Sequence, residues 1–161
     1  MRASPISGMV AAAMLSAGVS GGAAIADEPE CLGSPGPAKL MVSITGMRSS
    51  KGLIAATLYP DDPNRFLVHH GQVYVQHVNA EAPITHFCLS LPDAPAAYAL
   101  VVYHDEDGNH KFNRTKLGLP TEGYGLSNDP PTFLGLPTFS SVRFKTHAGD
   151  NPIEIKMHYP R

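Results

Sequence analysis

LMVSITGMRSSKGLIAATLY, residues 40–59, decides the fold class. Leu40, Val42 and Ile44 alternate with Met41, Ser43 and Thr45. That period of two puts every second side chain on one face of a half-buried strand. Gly46 to Gly52 holds Arg48, Ser49, Ser50 and Lys51 and reads as a turn. Leu53 to Tyr59 returns as a second, almost continuously apolar strand. Pro60-Asp61-Asp62-Pro63-Asn64 breaks it, and Phe66 and Leu67 are expected to tuck the following loop against the core. Working outward, the spacing predicts a weaker strand at Val73–Val78. It predicts another at Ile84–Leu89, with Thr85, Phe87 and Leu89 on one face and Ile84, His86 and Cys88 on the other. Further strands are predicted at Tyr98–Tyr103, around Val142, Phe144 and Thr146, and around Ile153, Ile155, Met157 and Tyr159. Leu91-Pro92-Asp93-Ala94-Pro95 and Gly149-Asp150-Asn151-Pro152 read as turns. With no segment showing a 3.6-residue apolar stripe after residue 26, the expected fold is all-β. It is a single antiparallel β-sandwich of about seven strands over residues 38–161, with a long loop at 104–138.

The N-terminus predicts export. Met1-Arg2 is followed by an Ala/Val/Leu/Ser/Gly run and Ala24-Ile25-Ala26, so residues 1–26 read as a secretory signal peptide. Gly18, Gly21 and Gly22 interrupt that run, which a spanning helix of roughly 20 apolar residues would not favour. The expected location is the periplasm or outside the cell, with no integral membrane segment after cleavage. Residues 27–37 form a Pro/Gly-rich arm. Two cysteines in an exported chain, Cys31 and Cys88, imply a disulfide. Closing a loop of this length is worth about 4 kcal/mol in the chain-entropy picture. The absence of Cys-x-x-Cys sets aside the redox and thiolate-metal alternatives. Twelve Lys and Arg stand against fourteen Asp and Glu, without a basic run, which argues against a nucleic-acid partner.

The densest chemistry lies just beyond Tyr103. Asp105, Asp107, Asn109 and Asn113 place oxygen side chains at positions 1, 3, 5 and 9 of a loop, and Lys111 stands at position 7, where a backbone carbonyl serves. That is the oxygen spacing of a calcium loop, because hard cations need several oxygens at once. Position 12 is Lys116 rather than a bidentate Glu, so Glu122 would have to fold back in its place. Low ligand charge implies weak binding, on the order of 0.1 to 1 mM. The alternative is a polar loop whose Asp and Asn side chains cap their own turns. Three other classes compete. His69, His70, His77, His86, His104 and His110 could gather copper or zinc across strands. His104 and Glu122 could form an acid/base pair of a periplasmic enzyme, although no Gly-x-Ser-x-Gly or phosphate loop is present. Tyr124, Phe133, Leu134, Leu136 and Phe139 could form an apolar partner patch.

Leu91-Pro92 with Tyr98-Ala99, His104-Asp105-Glu106-Asp107-Gly108-Asn109, and Gly118-Leu119-Pro120-Thr121-Glu122-Gly123-Tyr124-Gly125-Leu126-Ser127-Asn128 together resemble an exported bacterial family, domain of unknown function 2141. The resemblance runs over roughly residues 38 to 159 and extends to the Gly46–Gly52 turn and to Pro137-Thr138-Phe139. It implies export and a prealbumin-like or Ig-like sandwich, and no reaction. His104, Glu122, Tyr124, Ser127 and Asn128 are the motif residues expected to support the loop. The chain departs from the family pattern at His110, where the loop has Gly, and at Asn113, where it has Asp. The resulting expectation is an exported, non-enzymatic binding or structural module for an unidentified ligand or protein partner. It would be stabilised by calcium through residues 105–113.

Overall fold

A computed structural model describes residues 30–132 and 136–160; the segment expected to be a signal peptide lies outside them. Eight strands and one helical turn follow in order: β1 (Ala38–Thr45), β2 (Leu53–Pro60), β3 (Tyr74–Asn79), β4 (Ile84–Leu91), β5 (Ala96–Asp105), β6 (Gly123–Leu126), α1 (Phe139–Val142), β7 (Phe144–Thr146) and β8 (Gly149–Lys156). One sheet has the order β4-β1-β8. The other has the order β3-β2-β5-β6, with β7 also paired to β5. The two face each other as a sandwich. Alternation does what it should: Leu40, Val42 and Ile44 of β1 meet Ile54, Ala56 and Leu58 of β2, and Tyr98, Leu100 and Val102 of β5, in one core. A smaller cluster of Tyr59, Phe66, Ala99, Leu126 and Val142 sits on the outer face of the second sheet, partly under Phe139.

Four details correct the expectation. The sandwich is not wholly antiparallel, because β8 runs parallel to β1, with Ala38 opposite Gly149 and Ile44 opposite Ile155. Residues 149–152 belong to β8 and not to a turn. Pro152 is tolerated there because β8 is an edge strand, where a missing N–H costs no ladder bond. Val142 closes α1 and is not in a strand. The supposed long loop is split by β6, which pairs with β5 from Val101↔Leu126 to His104↔Gly123. The glycines of β6 explain its unstrandlike look: a Cβ on Gly123 would sit 2.3 Å from the Tyr159 ring, and one on Gly125 would sit 2.6 Å from Ile155. The sheets close here, and only hydrogen fits on the inner face. Phe66 packs on Tyr59 and Phe139 as expected, whereas Leu67 stays 43% exposed.

Cys31 and Cys88 form the disulfide. It holds the arm along β4, where Leu32 donates to the Cys88 carbonyl and accepts from the Ser90 N–H. No helix among the described residues is long and apolar enough to cross a membrane.

Candidate metal site at the end of strand β5

The last two residues of β5 project to opposite faces, and each becomes the centre of a polar cluster. Both are fully buried. His104 continues the inner row Tyr98, Leu100, Val102. Asp105 continues the outer row Val101, Tyr103, where β6 adds Tyr124 and Leu126 alongside.

On the outer face the chain folds back over Asp105. Its two carboxylate oxygens accept the backbone N–H of Asn109 (3.0 Å) and of His110 (2.7 Å). His110 does this at φ +59°, the left-handed conformation that a glycine would adopt most readily. The turn required at position 6 is therefore made despite the histidine. Asp107 Oδ2 accepts from the side-chain amides of Asn109 (2.9 Å) and Asn113 (3.0 Å). Glu122, immediately before β6, accepts from the Asn113 N–H (2.9 Å) and side-chain amide (3.2 Å). The chain leaves β5 at Asp105 and returns at Glu122, so the loop is closed at its base by carboxylates from both ends. Ligating oxygens of Asp105, Asp107 and Glu122 all lie within 4.8 Å of one another. Lys111 donates its N–H to Asn109 Oδ1 (2.8 Å), and its side chain is exposed. Phe112 anchors the loop from above, between the rings of Tyr103 and Tyr124.

The electrostatics of the trio are unequal. Burial works to raise the Asp105 carboxyl, but the donors from His110, Asn109 and Gly108 and the contact with Asp107 outweigh it, and the group lies below the ordinary aspartate range. Glu122 is pushed up by burial and by repulsion from Asp105 and Asp107, which its bonds to Asn113 only partly offset. A third negative charge is thus the one least tolerated. Asp105 and Glu122 are buried while Asp107 is exposed; uncompensated buried carboxylates are costly, and a divalent cation removes that cost.

On the inner face His104 is locked. Nε2 lies 2.7 Å from the Lys51 carbonyl, which can only accept, and Nδ1 lies 2.8 Å from the Tyr159 hydroxyl. Tyr159 also accepts the Arg48 N–H, and the Arg48 guanidinium lies over its ring at 4.4 Å. Arg48 and Ser49 hold Glu106, and Arg48 draws that carboxyl below the ordinary glutamate range. The 46–52 turn is thereby clamped to the end of β5. Gly52 passes so close that a Cβ would fall 1.9 Å from the Asp105 carbonyl.

The expected loop-support residues therefore separate. Glu122 enters the carboxylate trio, and Tyr124 supports the loop through Phe112. Ser127 accepts from the Leu100 N–H and donates to the Val142 carbonyl, and Asn128 donates to the carbonyls of Ser141 and Arg143, so both staple α1. His104 and Glu122 share no hydrogen-bond partner. His77 meets His110 with ring centroids 4.8 Å apart, and His69 meets His70 at 3.8 Å. Among the described residues, no group of three metal-ligating side chains includes a histidine. Of the apolar patch, Phe139 is packed and Leu136 is exposed, while Phe133 and Leu134 lie outside the described residues. The spacing did not single out Phe112, Arg48, Glu106 or Tyr159. The Arg48 and Glu106 pairing joins residues far apart in the chain, and period two does place His104 in line with the core residues of β5.

Residues 42–154, well over half of the chain, match the family described as "Uncharacterized protein conserved in bacteria (DUF2141)". No curated protein and no solved structure matches the chain.

Proposed function

The chain belongs to the DUF2141 family, and we propose that it acts as an exported β-sandwich module, binding or structural rather than enzymatic, whose 105–122 loop takes a calcium ion. The observation that carries this reading is the convergence of Asp105, Asp107 and Glu122 to within 4.8 Å at the base of one loop. An all-oxygen donor set suits a hard cation and not copper or zinc. Asn109 and Asn113 turn their amide nitrogens to the carboxylates; a half-turn of each amide presents its oxygen to a cation instead. The Lys111 carbonyl, at position 7, completes the expected ligands. Export to the periplasm or beyond is supported by the apolar N-terminal run and by the Cys31–Cys88 disulfide, which persists in oxidising compartments. Weighing against the enzyme alternative, both ring nitrogens of His104 are held, by the Tyr159 hydroxyl and the Lys51 carbonyl.

The test is thermal unfolding in EDTA and in millimolar calcium. With a dissociation constant on the order of 0.1 to 1 mM, tenfold to hundredfold excess calcium stabilises by about 1.4 to 2.7 kcal/mol. That is a rise of several degrees in Tm. Combining Asp105→Ala with Asp107→Ala should abolish the rise, and an unchanged rise in that variant would refute the site.

A further inference from the structure

We propose that the turn at residues 114–120 is a docking element for an anionic lipid surface. Leu117 is 88% exposed and Leu119 is 57% exposed. Single exposed leucines are ordinary, but two on one projecting turn, with exposed Leu67 and Leu136 beside Arg114 and Pro120 at its foot, make a patch that calls for a partner. The turn and its approach carry charge of one sign. Between Gly108 and Pro120 the ionised side chains are Lys111, Arg114 and Lys116, with no carboxylate. All three are exposed. Asp105, Asp107 and Glu122 are gathered at the stem instead.

The turn is closed by its own hydrogen bonds. Thr115 donates its N–H to the Leu119 carbonyl (2.8 Å), and Gly118 donates to the Thr115 carbonyl (2.9 Å). Arg114 Nη1 covers the Gly118 carbonyl (2.9 Å), and the Leu119 N–H reaches the Thr115 hydroxyl (3.2 Å). Gly118 takes the positive φ (+81°) that closes the turn. A closed turn, outward leucines and flanking cations suit shallow docking at the level of anionic headgroups, where the backbone of Lys116 and Leu117 stays hydrated. The cleft at the foot, lined by Tyr103, Phe112 and Tyr124 among others, has a volume of about 80 Å³. An apolar cavity of roughly 150 Å³ is what holds a benzene, so the cleft is too small to be a free ligand's main site.

The chain contains no tryptophan, so Leu117→Trp installs a single reporter. With phosphatidylcholine vesicles containing phosphatidylglycerol, in EDTA, its emission should shift to the blue and be quenched by brominated acyl chains. A reporter at Ile84, exposed on β4, should do neither. Because the reporter reads the turn itself, binding through residues 1–29 would leave it unchanged and would overturn the proposal. Leu117→Ser with Leu119→Ser should weaken vesicle binding by about tenfold or more at unchanged Tm. Lys111→Gln with Lys116→Gln should weaken it and flatten its salt dependence. Equal binding to vesicles of phosphatidylcholine alone, or full binding by the serine variant, also overturns it. The experiment needs no calcium, so its failure leaves the loop's ion site standing, and failure of the ion site leaves it standing in turn.

Discussion

His104 and Asp105 are consecutive, equally buried and polar, yet the two sides of β5 treat them differently. On the inner face the protein completes every bond itself: the Lys51 carbonyl, the Tyr159 hydroxyl and the Arg48–Glu106 clamp leave His104 with no further partner to find. On the outer face hydrogen bonds are also complete, but charge is not. Three carboxylates converge, and the donors around them are neutral amides. Saturated hydrogen bonding and balanced charge are separate requirements, and only the first is met at both ends of this comparison. The inner cluster therefore belongs to the fold, while the outer one has something to gain from a cation.

The largest effect should come from breaking the inner side. His104→Ala removes a fully buried ring and leaves the Lys51 carbonyl and Tyr159 hydroxyl without it. Cavity and desolvation together should cost about 3 kcal/mol, read as a lower urea midpoint. Calcium should still raise the Tm of this variant; loss of that response would mean the two faces are coupled and not separate. On the outer side the sign should reverse. Glu122→Gln keeps one of the two oxygens that accept from Asn113 and deletes the least tolerated charge. In EDTA at neutral pH it should leave stability unchanged or raise it by up to about 1 kcal/mol, while removing the calcium increment. A loss of stability in EDTA would show that the trio is not electrically overloaded.

The same contrast explains what could be read from the chain. β1 and β2 were legible because alternation survives on both, and the Asp105–Asn113 spacing was legible because it is local. β6 was not, since Glu122-Gly123-Tyr124-Gly125 looks like a loop until Tyr159 and Ile155 are seen filling the space where side chains would go. Pairing direction is invisible to a periodic pattern, so nothing in the sequence marks the β1–β8 ladder as parallel, and Gly149-Asp150-Asn151-Pro152 has the composition of a turn although it pairs in β8. His104 looked like a base or a ligand because residue type suggests chemistry. The Tyr98, Leu100, Val102 row pointed to the core all along. The approach of Glu122 to Asp105 depends on how the 106–121 segment returns, which no short-range rule specifies.

The smallest effects are the most diagnostic, because their pH dependence has opposite signs. Glu106 has a lowered folded-state pKa, so its contribution is present above the unfolded value near 4.5 and is lost as pH falls below it. Glu122 has a raised one. In EDTA its contribution is present below 4.5 and is lost as pH rises through the raised folded value. Urea unfolding followed across that range should therefore show two separable trends. Arg48→Met should blunt the acid-side loss by about half a kcal/mol, since the pair is partly exposed. Glu122→Gln should flatten the loss on the neutral side. Calcium inverts the second trend only: the ion needs the ionised carboxylate, so the calcium increment should shrink as pH falls through the raised Glu122 value. If acidification left that increment intact, Glu122 would be a capping residue of Asn113 and the ion, if any, would be held by Asp105 and Asp107 alone.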